Sequence, residues 1–145
     1  MQDANALRAR YERIMALLRE ARKDIPVTHL NAADADADIV RPGRRQGGQD
    51  EFEKFMGVGE YEYAWHALVS TAALHAPTPA FWPQMAEAAV LLIQNAHKPE
   101  FRESVHDVLR RYAPLRAALD DLPAHMSDEH ARATVAALVH GLEGA

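Results

Sequence analysis

Glu103 and His106 make a Glu-x-x-His pair, the spacing with which facing helices hold a di-metal centre in carboxylate-bridged bundles. Such a centre needs a second pair and a further Glu from each of two other helices. The chain has no second pair, and His125, His130 and His140 fit no His-Glu-x-x-His zinc pattern. Asp34, Asp36 and Asp38 have the opening spacing of a calcium loop. The sixth position of that loop would be Ile39 where a glycine is needed, and the twelfth Arg45 where a glutamate is needed. We therefore expect no metal and no cofactor.

The remaining candidates for chemistry fail in the same way. Arg41, Arg44 and Arg45 could grip phosphate, but no aromatic residue lies among them and the three aspartates just upstream neutralise them. Gly57-Val58-Gly59 lacks the preceding strand and third glycine of a dinucleotide site, and Glu60 next to it would repel a phosphate. These glycines read as the end of one helix and a hinge to the next, with Gly57 as the cap. Ser70 and Thr71 fall inside a helical pattern, without the strand-turn-helix elbow of a hydrolase nucleophile. No catalytic residue is expected.

Composition narrows the classes further. With 145 residues the chain is long enough for one core, so we expect one helical domain over 1–145. Absence of cysteine rules out disulfides, thiolate metal sites and cysteine nucleophiles. A formal net charge of −5 disfavours nonspecific nucleic-acid binding and suits a basic partner. The N-terminus carries no charged-then-apolar leader pattern. The longest apolar run, Ala86 to Ile93, is interrupted by Glu87 and falls short of the ~20 residues that span a bilayer. The expected setting is cytoplasmic, with no membrane partner.

Five segments must position whatever the surface presents. Each repeats apolar residues at i, i+4, i+7 and i+11, one face of a helix. They are Leu7/Tyr11/Ile14/Leu18, Tyr61/Trp65/Leu68/Ala72, Phe81/Met85/Ala88/Leu92, Phe101/Val105/Val108/Tyr112 and Ala131/Val135/Leu138/Leu142. The prolines punctuate them. Pro26 ends the first and Pro77 the second, Lys98 and Pro99 part the third from the fourth, and Pro114 and Pro123 bracket a short helix over Leu115 to Leu122. Thr78 is expected to cap a helix with Pro79 at its first position, which leaves Pro83 either in a late first turn or at a kink. Ser127 is expected to cap the last helix. The spacing predicts an all-α bundle of five to seven helices around a central apolar helix at about 84–97, with a long irregular loop at about 27–49 and a short helix over Asp50 to Met56.

The aromatic mass gathers at Tyr61, Tyr63, Trp65, Phe81 and Trp82. Tyr63 lies about 200° from Tyr61 around the helix, so Tyr61 is expected inward and Tyr63 outward as an interface anchor. His66 and Glu62, one turn apart, read as a surface pair. The run Gly59-Glu60-Tyr61-Glu62-Tyr63-Ala64-Trp65-His66-Ala67-Leu68, followed by Pro79-Ala80-Phe81-Trp82 and an apolar helix, resembles the MafI-type group of small helical immunity proteins of bacterial toxin systems. The matching positions are Gly59, Glu60, Tyr61, Glu62, Ala64, Trp65 and Leu68; the loop at 27–49 and everything from Pro99 onward lie outside the likeness.

The resemblance implies a non-catalytic cytoplasmic protein that neutralises a cognate toxin, often a nuclease or another basic enzyme. Acidic residues can steer such a protein to a basic cleft. The expected partner-binding residues are Glu60, Glu62, Tyr63, His66, Asp120 and Asp121. The alternative function is a helical scaffold that self-associates, as a homodimer for example, through apolar surface at Phe52, Phe55 and Trp82.

Overall fold

In the computed structural model, residues 4–25, 51–75, 77–96, 99–126 and 128–143 are described. They form seven α-helices and a short 3-10 helix, with no strand among them. The predicted loop at 27–49, with its aspartates and arginines, lies outside the described residues, as do Lys98 and Ser127.

The helices are α1 (Ala4–Arg22), α2 (Glu51–Gly57), α3 (Tyr61–His75), α4 (Phe81–Ala96), α5 (Pro99–Arg111), α6 (Ala113–Asp121) and α7 (Glu129–Glu143); the 3-10 helix is Leu122–His125. The predicted stripes are the packed faces. Ile14, Leu18, Trp65, Leu68, Ala72, Phe81, Met85, Ala88, Leu92, Phe101, Val105, Val108, Ala131, Val135 and Leu138 are all buried. α4 is the central helix: α1, α3, α5, α6 and α7 all pack on it. Ala88 through Asn95 are buried without a break, as expected of a helix apolar nearly all round.

Enclosure extends to α3, which the sequence reads as one-sided. Every residue from Ala64 to Ala72 is buried, including His66, Ser70 and Thr71. The reason is tertiary: α1, α2 and α4 pack on it, and Phe101 and Ser104 of α5 close the side that carries His66. Phe52, Phe55 and Met56 of α2 are buried as well. The apolar surface that motivates self-association is thereby largely consumed, since Phe52 and Phe55 belong to the core and Trp82 packs partly against it.

The helix ends correct several expected boundaries. α4 begins at Phe81, with the Phe81 N–H donating to the Thr78 carbonyl at 3.1 Å, so Thr78 and Pro79 form a turn before it. A helix starting at Pro79 would put Pro83 where its ring meets the Pro79 carbonyl and its missing N–H breaks the ladder. Starting at Phe81 leaves Pro83 in the first turn, where the amides have no helical acceptor anyway. Pro99 and Pro114 are likewise accepted in the first turns of α5 and α6, and Pro123 in that of the 3-10 helix, so α6 starts at Ala113, two residues earlier than expected. α5 ends at Arg111, because Tyr112 turns extended (φ −119°, ψ 96°) and opens α6. α7 is capped by Asp128, whose Oδ1 accepts the His130 N–H at 2.9 Å and whose carbonyl accepts the Arg132 N–H at 3.0 Å.

The α2–α3 corner is a Schellman turn. The Glu60 N–H donates to the Phe55 carbonyl at 2.9 Å and the Gly59 N–H to that of Met56 at 3.2 Å. Gly59, at φ +76°, is the left-handed residue; Gly57, the expected cap, is still helical. The two glycines should therefore respond oppositely to alanine. Gly59→Ala is expected to destabilise by about 1–2 kcal/mol, the cost of a Cβ in the left-handed region. A Cβ on Gly57 meets nothing within 4 Å, so Gly57→Ala should stabilise by about 0.5–1 kcal/mol. Urea denaturation of the two variants gives both signs.

Candidate functional site

The Schellman turn fixes a corner at the start of α3 whose shape is set by backbone hydrogen bonds. Val58 stands at its tip, 64% exposed, the one large apolar side chain that is exposed among the described residues. Glu60 follows it, and its carbonyl accepts the Ala64 N–H at 3.2 Å to open α3. Glu62 lies in the first turn of α3, where a negative charge suits the positive helix end. Glu60, Glu62 and Tyr63 are all partly exposed.

Tyr63 does not point freely outward. Its ring lies 5.5 Å from that of Phe55, tilted by 33°, and it packs against the core. Tyr61 is also only partly buried. Its hydroxyl donates to Met15 Sδ at 3.3 Å and its ring lies 5.9 Å from that of Tyr11. The corner thus rests on α1 and α2, and both tyrosines present an edge.

His66 is the clear departure from the expected binding face. It is 4% exposed, so it takes no part in a surface pair with Glu62. Its Nε2 lies 2.9 Å from Ser104 Oγ on α5. The Ser104 hydroxyl donates to the Phe101 carbonyl at 3.0 Å, which leaves its oxygen as acceptor and makes Nε2 the protonated nitrogen of a neutral imidazole. Trp65 and Phe101 face the ring edge-on at 5.0 and 5.7 Å. Burial pushes the His66 pKa down to about 4. The residue is a structural clasp between α3 and α5.

Asp120 and Asp121 are exposed but engaged. Both carboxylate oxygens of Asp120 accept from Arg116 Nε, at 3.1 and 3.3 Å, and Asp121 Oδ2 lies 3.2 Å from His125 Nε2. α6 packs on α4, α5 and α7, whereas the α2–α3 corner rests on α1. Two acid-bearing regions result instead of one. Near the second runs a groove of about 360 Å³ between α1, α4, the 3-10 helix and α7. Arg13 on its wall grips Glu87 with two hydrogen bonds, at 2.8 and 3.0 Å.

No three His, Asp or Glu side chains among the described residues converge as a metal site. Ser70 and Thr71 are enclosed in the core. Val58 escaped the sequence reading because a lone valine next to glycine carries no periodic signal. The His66–Ser104 clasp escaped it because the two residues are 38 positions apart. No helix among the described residues is long and apolar enough to cross a membrane. Comparison with protein-family models, curated proteins and solved structures finds no match to this chain.

Proposed function

We propose that the protein is a non-catalytic cytoplasmic immunity protein that binds a cognate bacterial toxin and occludes a basic active-site cleft, as in a nuclease. The observation that carries this reading is the α2–α3 corner: an exposed Val58 on a backbone-fixed turn, flanked by Glu60, Glu62 and the edge of Tyr63. A rigid apolar tip loses little conformational freedom on docking, and the acids around it favour a cationic rim. The net charge of −5 supports the same polarity over longer range. Asp120 and Asp121 serve as a second contact only for a partner that reaches beyond the corner. His66 contributes to the stability of α3, not to contact.

The test is calorimetry and growth rescue with the product of the neighbouring reading frame. A one-to-one complex is expected. Glu62→Lys should weaken it about tenfold or more, mainly by slowing association and more strongly at low salt. Val58→Arg should weaken it comparably while leaving the melting temperature in place, since the side chain is exposed. Absence of both heat and rescue with that product would sink the reading.

A further inference from the structure

Two imidazoles sit at two different interfaces of α5. His66 reaches α5 from α3: its Nε2 lies 2.9 Å from Ser104 Oγ, and its Nδ1 is enclosed with no hydrogen-bond partner among the described residues. His106 leaves α5 toward α7, where its ring lies against the backbone at Gly141. A Cβ on that glycine would stand 3.1 Å from His106 Cε1 and 3.2 Å from Nε2. His106 Nε2 is likewise enclosed and without a partner among the described residues.

Both arrangements suit a neutral ring and fail a charged one. A neutral imidazole can leave its enclosed nitrogen bare, whereas an imidazolium carries an N–H on both nitrogens. Protonation would add, at each interface, a donor with no acceptor beside it and a charge out of water. At His66 burial is the cause that lowers the pKa; Glu62 of α3 is partly exposed and Glu103, next to Ser104 on α5, is exposed. At His106 burial, Arg110 and Arg102 lower it, and Asp107 and Glu103 oppose them. His130 of α7 and Ile93 of α4 line the groove beside the His106 ring.

Packing decides which element yields. α3 and α4 are covered by several neighbours, whereas α5 is fixed by one stripe, Phe101, Val105, Val108 and Leu109. Its other face turns Arg102, Glu103, Asp107 and Arg110 to solvent.

We propose that α5 is an acid-released latch: protonation of His66 and His106 lifts it from α3 and α7 while α1 and α4 stay packed, uncovering Trp65 and Phe101. The event is the opening of one helix, short of global unfolding. Both rings take a proton more readily once α5 is away, so opening grows as pH falls below about 6.5. For His66 the growth ends near its closed-state pKa of about 4. The latch works whether or not the α2–α3 corner binds a partner.

The test is amide hydrogen exchange of the full chain between pH 7.5 and 4, expressed as protection relative to the free amide at each pH. Protection in α5 should stand about tenfold or more below that in α1 and α4 throughout. Between about pH 6.5 and 4 it should fall about tenfold per pH unit through His66, and more steeply with His106 added. His66→Gln should remove about tenfold per pH unit from that slope, and the double variant with His106→Gln should be flat. Equal protection in α1, α4 and α5 at every pH would mean that α5 opens only by global unfolding, and would overturn the latch. So would α5 protection that does not change with pH, or a full slope in the double variant. The comparison among helices needs no variant, so it decides even if a substituted chain fails to fold.

Discussion

Trp65→Ala should cost roughly 3–5 kcal/mol, a lowering of the melting temperature by about 10–15 °C for a domain of this size. Trp65 is completely buried at the meeting of three helices. It sits on α3, its indole N–H donates to the Met85 carbonyl of α4 at 2.8 Å, and its ring meets Phe101 of α5 edge-on at 6.2 Å. Truncation opens a cavity that no single neighbour can fill, because those neighbours are fixed to three different backbones. Small domains have only about 5–15 kcal/mol of stability in all, so the loss is a large share. Trp65→Phe keeps most of the ring and should cost less, about 1–2 kcal/mol, from the lost hydrogen bond and a smaller void. Tyr63→Ala, nearly neutral on the sequence reading, should cost about 1–2 kcal/mol because of its contact with Phe55. Thermal and urea melts of the three variants establish the order. If Tyr63→Ala costs more than Trp65→Ala, the packing of α3 described above is wrong.

Acid should weaken the fold through His66. The folded pKa is about 4 and the unfolded value about 6.5, so between those pH values the unfolded chain binds a proton that the folded one does not. Stability from this group is complete above about pH 6.5 and falls as pH drops, and the loss is complete below about pH 4. The total is roughly 3 kcal/mol for a difference of this size. The physical cause is desolvation: protonating His66 would place a charge among Trp65, Phe101 and the α3–α5 interface, where the Ser104 hydroxyl is its hydrogen-bond partner. His106, also lowered by burial, adds in the same direction. His66→Gln keeps a side-chain N–H for Ser104 and removes the titration. Its urea-derived stability should lose about one proton's worth of pH slope over this window, relative to the unsubstituted protein. Equal slopes, or a folded His66 titrating near pH 6.5 by NMR, would contradict the burial.

The α2–α3 corner was only partly legible. Glu60, Glu62 and Tyr63 stand at the start of α3 because a Gly-Glu-Tyr-Glu run marks a helix opening whatever surrounds it. Asp120 and Asp121 were readable as exposed acids for the same local reason; Asp120 pairs with Arg116 one turn back inside α6, whereas the pairing of Asp121 with His125 needs the 3-10 turn Leu122–His125, which runs past the expected boundary at Pro123. His66 was misread. A histidine one turn from a glutamate has the signature of a surface pair, and only the arrival of α5 puts it inside.

Sequence by itself determined the helices and their inward faces. Apolar spacing near 3.6 residues requires a helix to hide one stripe, and proline and glycine limit where the chain can turn. Tertiary structure alone decided which helices are covered on their remaining sides. That choice buried the polar positions His66, Ser70 and Thr71, left Val58 exposed and set His106 against Gly141. Such outcomes depend on groups far apart in the chain meeting across helix interfaces, and no local periodicity encodes which interfaces form.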